Sequence, residues 1–287
     1  MPDFPVQEGV LLRFIAFLGR GPYASRSATN IIGNLKWFAT FLDPSSVKVF
    51  ESVQVSATVK GLKAQLSRPP RQKLPLSIVH MLKFYITLDF SDVNQLAAWC
   101  AMLVAFFGCF RLSNLVPVSK KKFDPLKQLT VSDVSFDKDI VLIFYKFSKT
   151  NQNATKVTWV PIQTVSDSRF SVKKHLKLLL SCVKADNEAP LFSFSANSFH
   201  TRYSLTRILD KCIFEAGLSL RDYSWHSFRR GAAVFAFELG LEDSAVQLLG
   251  DWSSLAFKNY LEFAFDRKVS IARKIAHKFD GVVKDLL

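Results

Sequence analysis

Apolar positions recur at helical spacing along most of the chain and at alternating spacing in one short stretch. Leu11, Leu12, Phe14, Ile15 and Leu18 form one amphipathic stripe, and Ile31, Ile32, Leu35, Phe38 and Leu42 form a second, because residues three and four apart share a helix face. Ser27 or Thr29 is the expected cap of the second helix, Asp43-Pro44 its stop, and a third helix is expected from Val47 to Leu66. The run Ser67-Arg68-Pro69-Pro70-Arg71-Gln72-Lys73-Leu74-Pro75 then breaks the periodicity. Its prolines lack backbone donors and bias their predecessors to extended geometry. A domain boundary is expected here, with a helical domain over 1–73 and a larger one over 74–287.

Beyond the boundary, helices are predicted near Leu76 to Leu88 and Leu96 to Phe110. The texture then changes. Val131 to Val134, Ile140 to Phe147 and Val157 to Ile162 are short, β-branched and aromatic, with Thr150-Asn151-Gln152-Asn153 between the last two, which reads as a small antiparallel sheet with a polar hairpin tip. Helical patterns resume over Phe170–Val183, Tyr203–Ala216, Trp225–Leu239, Glu242–Leu249 and Ser254–Phe265, and Val269 to Leu287 is amphipathic. The expected fold class is mainly α with a small antiparallel β-sheet, without internal repeats.

Charge adds a partner to this outline. Lysine and arginine number 38 against 24 acidic residues, a formal net charge of +14. Such an excess repels itself unless a polyanion neutralises it, so nucleic acid is the expected partner and an anionic membrane surface the alternative. The four cysteines, Cys100, Cys109, Cys182 and Cys212, show neither CxxC nor zinc-ligand spacing, so a reducing, intracellular setting and no structural metal are expected. The amino terminus lacks a signal-peptide pattern, and Leu96–Phe110 is shorter than the roughly 20 residues of a membrane span.

Six residues carry candidate chemistry. His226 and Arg229 lie one helical turn apart near a start expected at Asp222 or Ser224, where the helix dipole is positive and an anion is welcome; alone, the pair equally describes a basic amphipathic helix. Arg111 closes an apolar run, where it serves either as a helix carboxyl cap or as a second guanidinium on the oxygens of one phosphate. Lys149 sits beside the hairpin tip, either solvated or pushed into a groove as a proton donor. Trp252 follows Gly250-Asp251, and an indole N–H is a pure donor. Tyr260 lies off the centre of the stripe marked by Phe257 and Leu261, which suits either packing or a presented hydroxyl.

Taken in order, Arg111, Lys149, His226, Arg229, Trp252 and Tyr260 resemble the active-site set of the tyrosine recombinases, the phage-integrase family. Arg68-Pro69-Pro70-Arg71, Ser148-Lys149-Thr150-Asn151 and Gly250-Asp251-Trp252-Ser253-Ser254 resemble its eukaryotic Crypton-like and DIRS-like mobile-element branch, which implies a nucleus. The resemblance covers most of the chain and implies a helical core-binding domain and a catalytic domain closing as a clamp on double-stranded DNA. It implies that Arg111 and Arg229 clamp the scissile phosphate beside His226 and Trp252, that Lys149 is the general acid and that Tyr260 is the nucleophile.

The pattern also has departures: Asn114 stands where many members have an acidic residue, Arg230 where histidine is common, and Trp252 to Tyr260 is one residue tighter than usual. What is implied is strand exchange through a 3′-phosphotyrosine without metal, cofactor or ATP, by dimers on DNA that form tetramers, with the tail after Asp266 docking on a neighbour. The alternatives are a DNA-binding protein of the same fold without turnover, and a type IB topoisomerase.

Overall fold

The computed structural model describes residues 6–67, 72–146, 158–250, 252 and 258. The chain divides into two compact units, Met1–Arg71 and Gln72–Leu287, and the division falls within the proline-rich run.

The first unit is helical: α1 (Glu8–Arg20), α2 (Ser25–Leu42), the short α3 (Val47–Phe50) and α4 (Val53–Gln65). Its core joins Leu11, Ile15 and Leu18 of α1 to Ala28, Ile32 and Ala39 of α2, with Phe50, Val55 and Leu62. Three expectations are corrected. Helix α2 begins at Ser25, ahead of both predicted caps, with Ala24 at the N-cap and no side-chain bond there. It also turns its alanines inward, so that Phe38 and Leu42 of the predicted stripe are 51% and 50% exposed; small side chains let α2 approach its neighbours more closely than a face of large ones. The predicted third helix is two helices, because the Ser52 hydroxyl accepts from Val55 N–H and starts α4 afresh.

In the second unit, α5 (Ile78–Thr87), α6 (Val93–Phe107) and the one-turn α7 (Leu112–Leu115) precede a sheet of β1 (Val134–Asp137), β2 (Ile140–Tyr145) and β3 (Thr158–Gln163). Then follow α8 (Val172–Val183), the small pair β4 (Ser193–Ser195) and β5 (Ser198–Phe199), α9 (Arg202–Glu215), α10 (His226–Glu238) and α11 (Asp243–Leu249). Helix α6 is apolar on every face and is buried from Leu96 to Phe106, as a helix surrounded by partners must be. It packs on α8, α9, α10 and β4.

The three-stranded sheet is antiparallel in the order β1-β2-β3, with Ile143 opposite Val134 on one side and Val160 on the other. Val141, Ile143 and Tyr145 alternate inward along β2. Pro161 is tolerated because β3 is an edge strand, where a missing donor breaks no further ladder. The class is thus mainly α with a small antiparallel sheet, as expected. The run Val131 to Val134 is corrected: Thr130 and Asp133 form a capping box that holds Val131–Asp133 in a 3₁₀ turn, and the strand starts at Val134. The predicted hairpin tip, the predicted helix Val269–Leu287 and, apart from Lys258, the predicted helix Ser254–Phe265 lie outside the described residues. Among the described residues, no helix is long and apolar enough to cross a membrane.

Candidate active site

Helix α6 ends at Gly108, which caps it. Cys109 follows in the left-handed region, with φ 52°, a conformation that costs a non-glycine residue roughly 1 kcal/mol or more. That turn redirects the chain, so Arg111 is the N-cap of α7 and not the carboxyl cap of α6. The capping explanation of Arg111 is thereby removed. Its side chain makes no hydrogen bond or ion pair among the described residues.

His226 is the first residue of α10, whose N-cap is Trp225, where Asp222 or Ser224 had been expected. Ser227 secures the entry instead: its N–H donates to Ser224 O at 2.8 Å and its hydroxyl accepts from Ser224 N–H at 3.0 Å. A strap from the start of the second unit lies across this end of α10. Lys73 Nζ donates to Leu220 O and Arg221 O; Leu74 N–H donates to Asp222 O at 2.7 Å, and Leu76 N–H to Ser227 O at 3.0 Å. The Leu76 carbonyl approaches α10 so closely that a Cβ on Gly231 would lie 2.0 Å from its oxygen.

One turn on from His226, Arg229 is 2% exposed. Its Nη1 donates to Cys109 O, its Nη2 donates to Gly250 O at 2.5 Å, and its guanidinium lies over the Trp252 ring at 4.4 Å from the centroid. The strained Cys109 turn therefore aims a carbonyl at the arginine, and Trp252 supplies a cation–π face. Arg230 is also buried. The His226 pKa is pushed down to about 4 by removal of water and then by the positive fields of Arg229, Arg230 and Arg111. The residue still has solvent access, which is the side an anion can reach. At neutral pH the imidazole is uncharged, able to accept a proton.

Arg111 and His226 line one cavity of about 380 Å³, together with Trp225 and Arg202. Arg229 lines a second, more apolar cavity of about 420 Å³ between the β2–β3 ribbon and α11. Of the six predicted residues, the structure thus gathers Arg111 and Arg229 around His226 and stacks Trp252 on Arg229. Lys149 and Tyr260 lie outside the described residues. Nearby, Lys146 is held by Asp133 at 2.7 Å, by Pro125 O and by Thr130 Oγ1, so it is a structural lysine. Lys258, two places before Tyr260, pairs with Asp243 at the start of α11.

Asn114 is buried, and its Oδ1 accepts from the Tyr145 hydroxyl at 3.4 Å, tying α7 to β2. Sequence reasoning missed Arg202, the Cys109 and Gly250 carbonyls and the Leu76–Gly231 crossing; the glycine following the His-Arg turn was the one available signal. Among the described residues no group of His, Cys, Asp and Glu is placed to hold a metal ion.

No protein-family model and no curated protein sequence matches the chain. Solved structures do match it. The XerH site-specific recombinase bound to palindromic difH substrate, in a post-cleavage complex, aligns over 93% of this chain and 72% of that one at a TM-score of 0.64 and 17% identity. The Tn1549 transposon integrase in complex with transposon right end DNA aligns over 96% and 87%, with a TM-score of 0.62 and 14% identity. A lambda integrase dimer bound to a core site aligns over 90% of each chain, with a TM-score of 0.50 and 16% identity. The fold is that of the tyrosine recombinases and integrases.

Proposed function

We propose that this protein is a DNA breaking and rejoining enzyme, a site-specific recombinase or integrase that works through a covalent 3′-phosphotyrosine. The observation that carries the reading is the placement of Arg111 in one cavity with His226, with Arg229 one helical turn further along α10, within a fold shared with recombinases and integrases. Two guanidiniums balance the negative charge that builds on the non-bridging oxygens of a phosphodiester under attack.

In this mechanism the Tyr260 hydroxyl attacks phosphorus. A Tyr Oη–P bond forms as the P–O5′ bond breaks; His226 takes the phenolic proton, and Lys149 delivers one to the departing 5′ oxygen. A 5′ hydroxyl from a second strand then reverses the step. Each transesterification exchanges one phosphodiester for another, so the chemistry balances without ATP or a divalent ion. Double-stranded DNA is the substrate, and exchange between two sites calls for dimers on DNA that pair into tetramers.

The test uses a duplex selected from a randomised pool by the full-length protein and nicked near its centre, so that the cleaved product diffuses away. Covalent protein–DNA adduct that survives denaturation, and is lost in Tyr260→Phe, supports the reading. Adduct in Tyr260→Phe, or binding with no adduct, overturns it, the second result leaving a DNA-binding protein of the same fold. Relaxation of supercoiled plasmids that lack the selected site would instead point to a topoisomerase.

A further inference from the structure

The cavity that holds Arg111 and His226 has a second guanidinium in its wall, that of Arg202. Among the described residues no carboxylate lines it. The Arg202 side chain is exposed and, among the described residues, makes no hydrogen bond or ion pair. An exposed arginine is ordinarily a solvated charge on a flexible stem. The backbone beneath this one is fixed from three directions. Arg202 N–H donates to Pro117 O at 2.8 Å, which ties the start of α9 to the segment leaving α7. Thr201 and Ser204 form a reciprocal capping box, with Ser204 Oγ accepting from Thr201 N–H at 2.9 Å. The fully buried His200 donates from Nε2 to Asn94 O at 2.8 Å, anchoring the same turn to α6. Arg202 is also the first residue of a 14-residue helix, so the positive end of α9 lies at its own backbone.

We propose that Arg202 is a further phosphate-binding residue of this site, holding a backbone phosphate of the bound strand at or next to the position gripped by Arg111. The assignment rests on the strand-transfer reading above for its substrate, and on the shared cavity and the anchored helix start for its geometry. A fixed Cα reduces the conformational freedom lost when the guanidinium closes on an anion, so the contact is worth more here than on a mobile loop. Its role is to add a fork of donors to the two groups already facing the cavity.

The experiment combines Arg202→Ala and Arg202→Lys with single methylphosphonate substitutions, which remove the charge of one phosphate, at the scissile position and at each of its two neighbours. With unmodified suicide duplex, Arg202→Ala is expected to form adduct about ten- to a hundredfold more slowly than wild type. Arg202→Lys should recover part of that loss. At one of the three positions, the methylphosphonate should slow the wild type but not Arg202→Ala, because the partner of the neutralised phosphate is already gone; a purely structural role for Arg202 predicts no such selectivity.

Adduct formation by Arg202→Ala at the wild-type rate, or equal slowing of both proteins by methylphosphonate at all three positions, overturns the proposal. If the wild type forms no adduct, the strand-transfer reading fails, and the salt dependence of binding to an unmodified duplex decides this one separately. A shallower log–log slope in Arg202→Ala, by about 0.9, supports it, and an unchanged slope overturns it. Should Arg202→Ala fail to fold, Arg202→Gln, which keeps the stem, replaces it in every arm.

Discussion

Replacing Gly231 by alanine sets two known effects against each other. Gly231 lies inside α10, where alanine normally stabilises a helix by about 1 kcal/mol over glycine. An ideal Cβ there would lie 2.0 Å from Leu76 O and 2.9 Å from Leu76 C. Carbon and oxygen not bonded to each other need roughly 3.3 Å, so strap and helix must part by more than about 1 Å. The obstacle is backbone, which cannot rotate away as a side chain can. Parting them weakens the 3.0 Å bond from Leu76 N–H to Ser227 O, worth about 1 kcal/mol, and forces a repacking that typically costs about 1–3 kcal/mol.

The clash wins, and Gly231→Ala should be less stable than wild type by about 1–3 kcal/mol. It should also lose adduct formation out of proportion to the unfolded fraction, because α10 carries His226 and Arg229. Gly33, inside α2, has no atom within 4 Å of its missing Cβ, so Gly33→Ala should gain about 0.5–1 kcal/mol. Urea denaturation followed by far-UV circular dichroism measures both. A Gly231→Ala protein as stable as wild type would refute the reasoning about the strap, and a destabilised Gly33→Ala would refute the propensity argument.

Arg229→Lys keeps the charge but not the fork that reaches two carbonyls, so adduct formation should fall about a hundred- to a thousandfold in the suicide-substrate assay; a loss below tenfold would show that charge alone suffices. Burial, more than the neighbouring Asn94 carbonyl and Asp92 offset, pushes the His200 pKa from 6.5 down to about 4. Its neutral form is therefore favoured by folding, a contribution of about 3 kcal/mol that is complete above pH 6.5 and lost as pH falls through 4. His200→Gln should flatten the acid limb of a melting-temperature profile between pH 6.5 and 4, and an unchanged limb would contradict this. Lys146→Met leaves the buried Asp133 carboxylate, among the described residues, with donors from Thr130 only, so chemical denaturation should show a loss of about 2–4 kcal/mol, and a change within about 0.5 kcal/mol would mean that the pair is dispensable.

The helical and strand periods of this sequence were readable because burial enforces them. Helix α6 could be placed from its apolar run, and β2 from its alternation. What escaped were features set by small residues or by local polar competition. The inward face of α2 is built on Ala28 and Ala39, which carry little hydrophobic signal, while the larger Phe38 and Leu42 mislead. Ser52 and the Thr130–Asp133 box cut elements short through local hydrogen bonds, which no apolar pattern registers. Of the six candidate residues read from the sequence, the structure puts four where their neighbours can be named. Arg202 was not legible, since a lone arginine before a helix has no spacing partner; only the folding of α7 against the start of α9 brings it to Arg111.

The arrangement also explains how like charges are kept together before any anion arrives. Arg229, Arg230 and Arg111 all bear on one imidazole, and their mutual repulsion opposes folding. Arg229 is held against that repulsion by two carbonyls from different elements, Cys109 at the end of α6 and Gly250 at the end of α11, and by the Trp252 ring. It is therefore a strut as well as a charge: the bonds that position it also join the two helix ends. The left-handed Cys109 is the local strain that this junction tolerates. Arg111 and Arg202, by contrast, stand in the other cavity without protein partners among the described residues. Arg229 is thus fixed by the frame in advance of any phosphate, while Arg111 and Arg202 are left open to one. A bound anion would relieve the repulsion in all three, so folding and substrate binding are thermodynamically linked at this site.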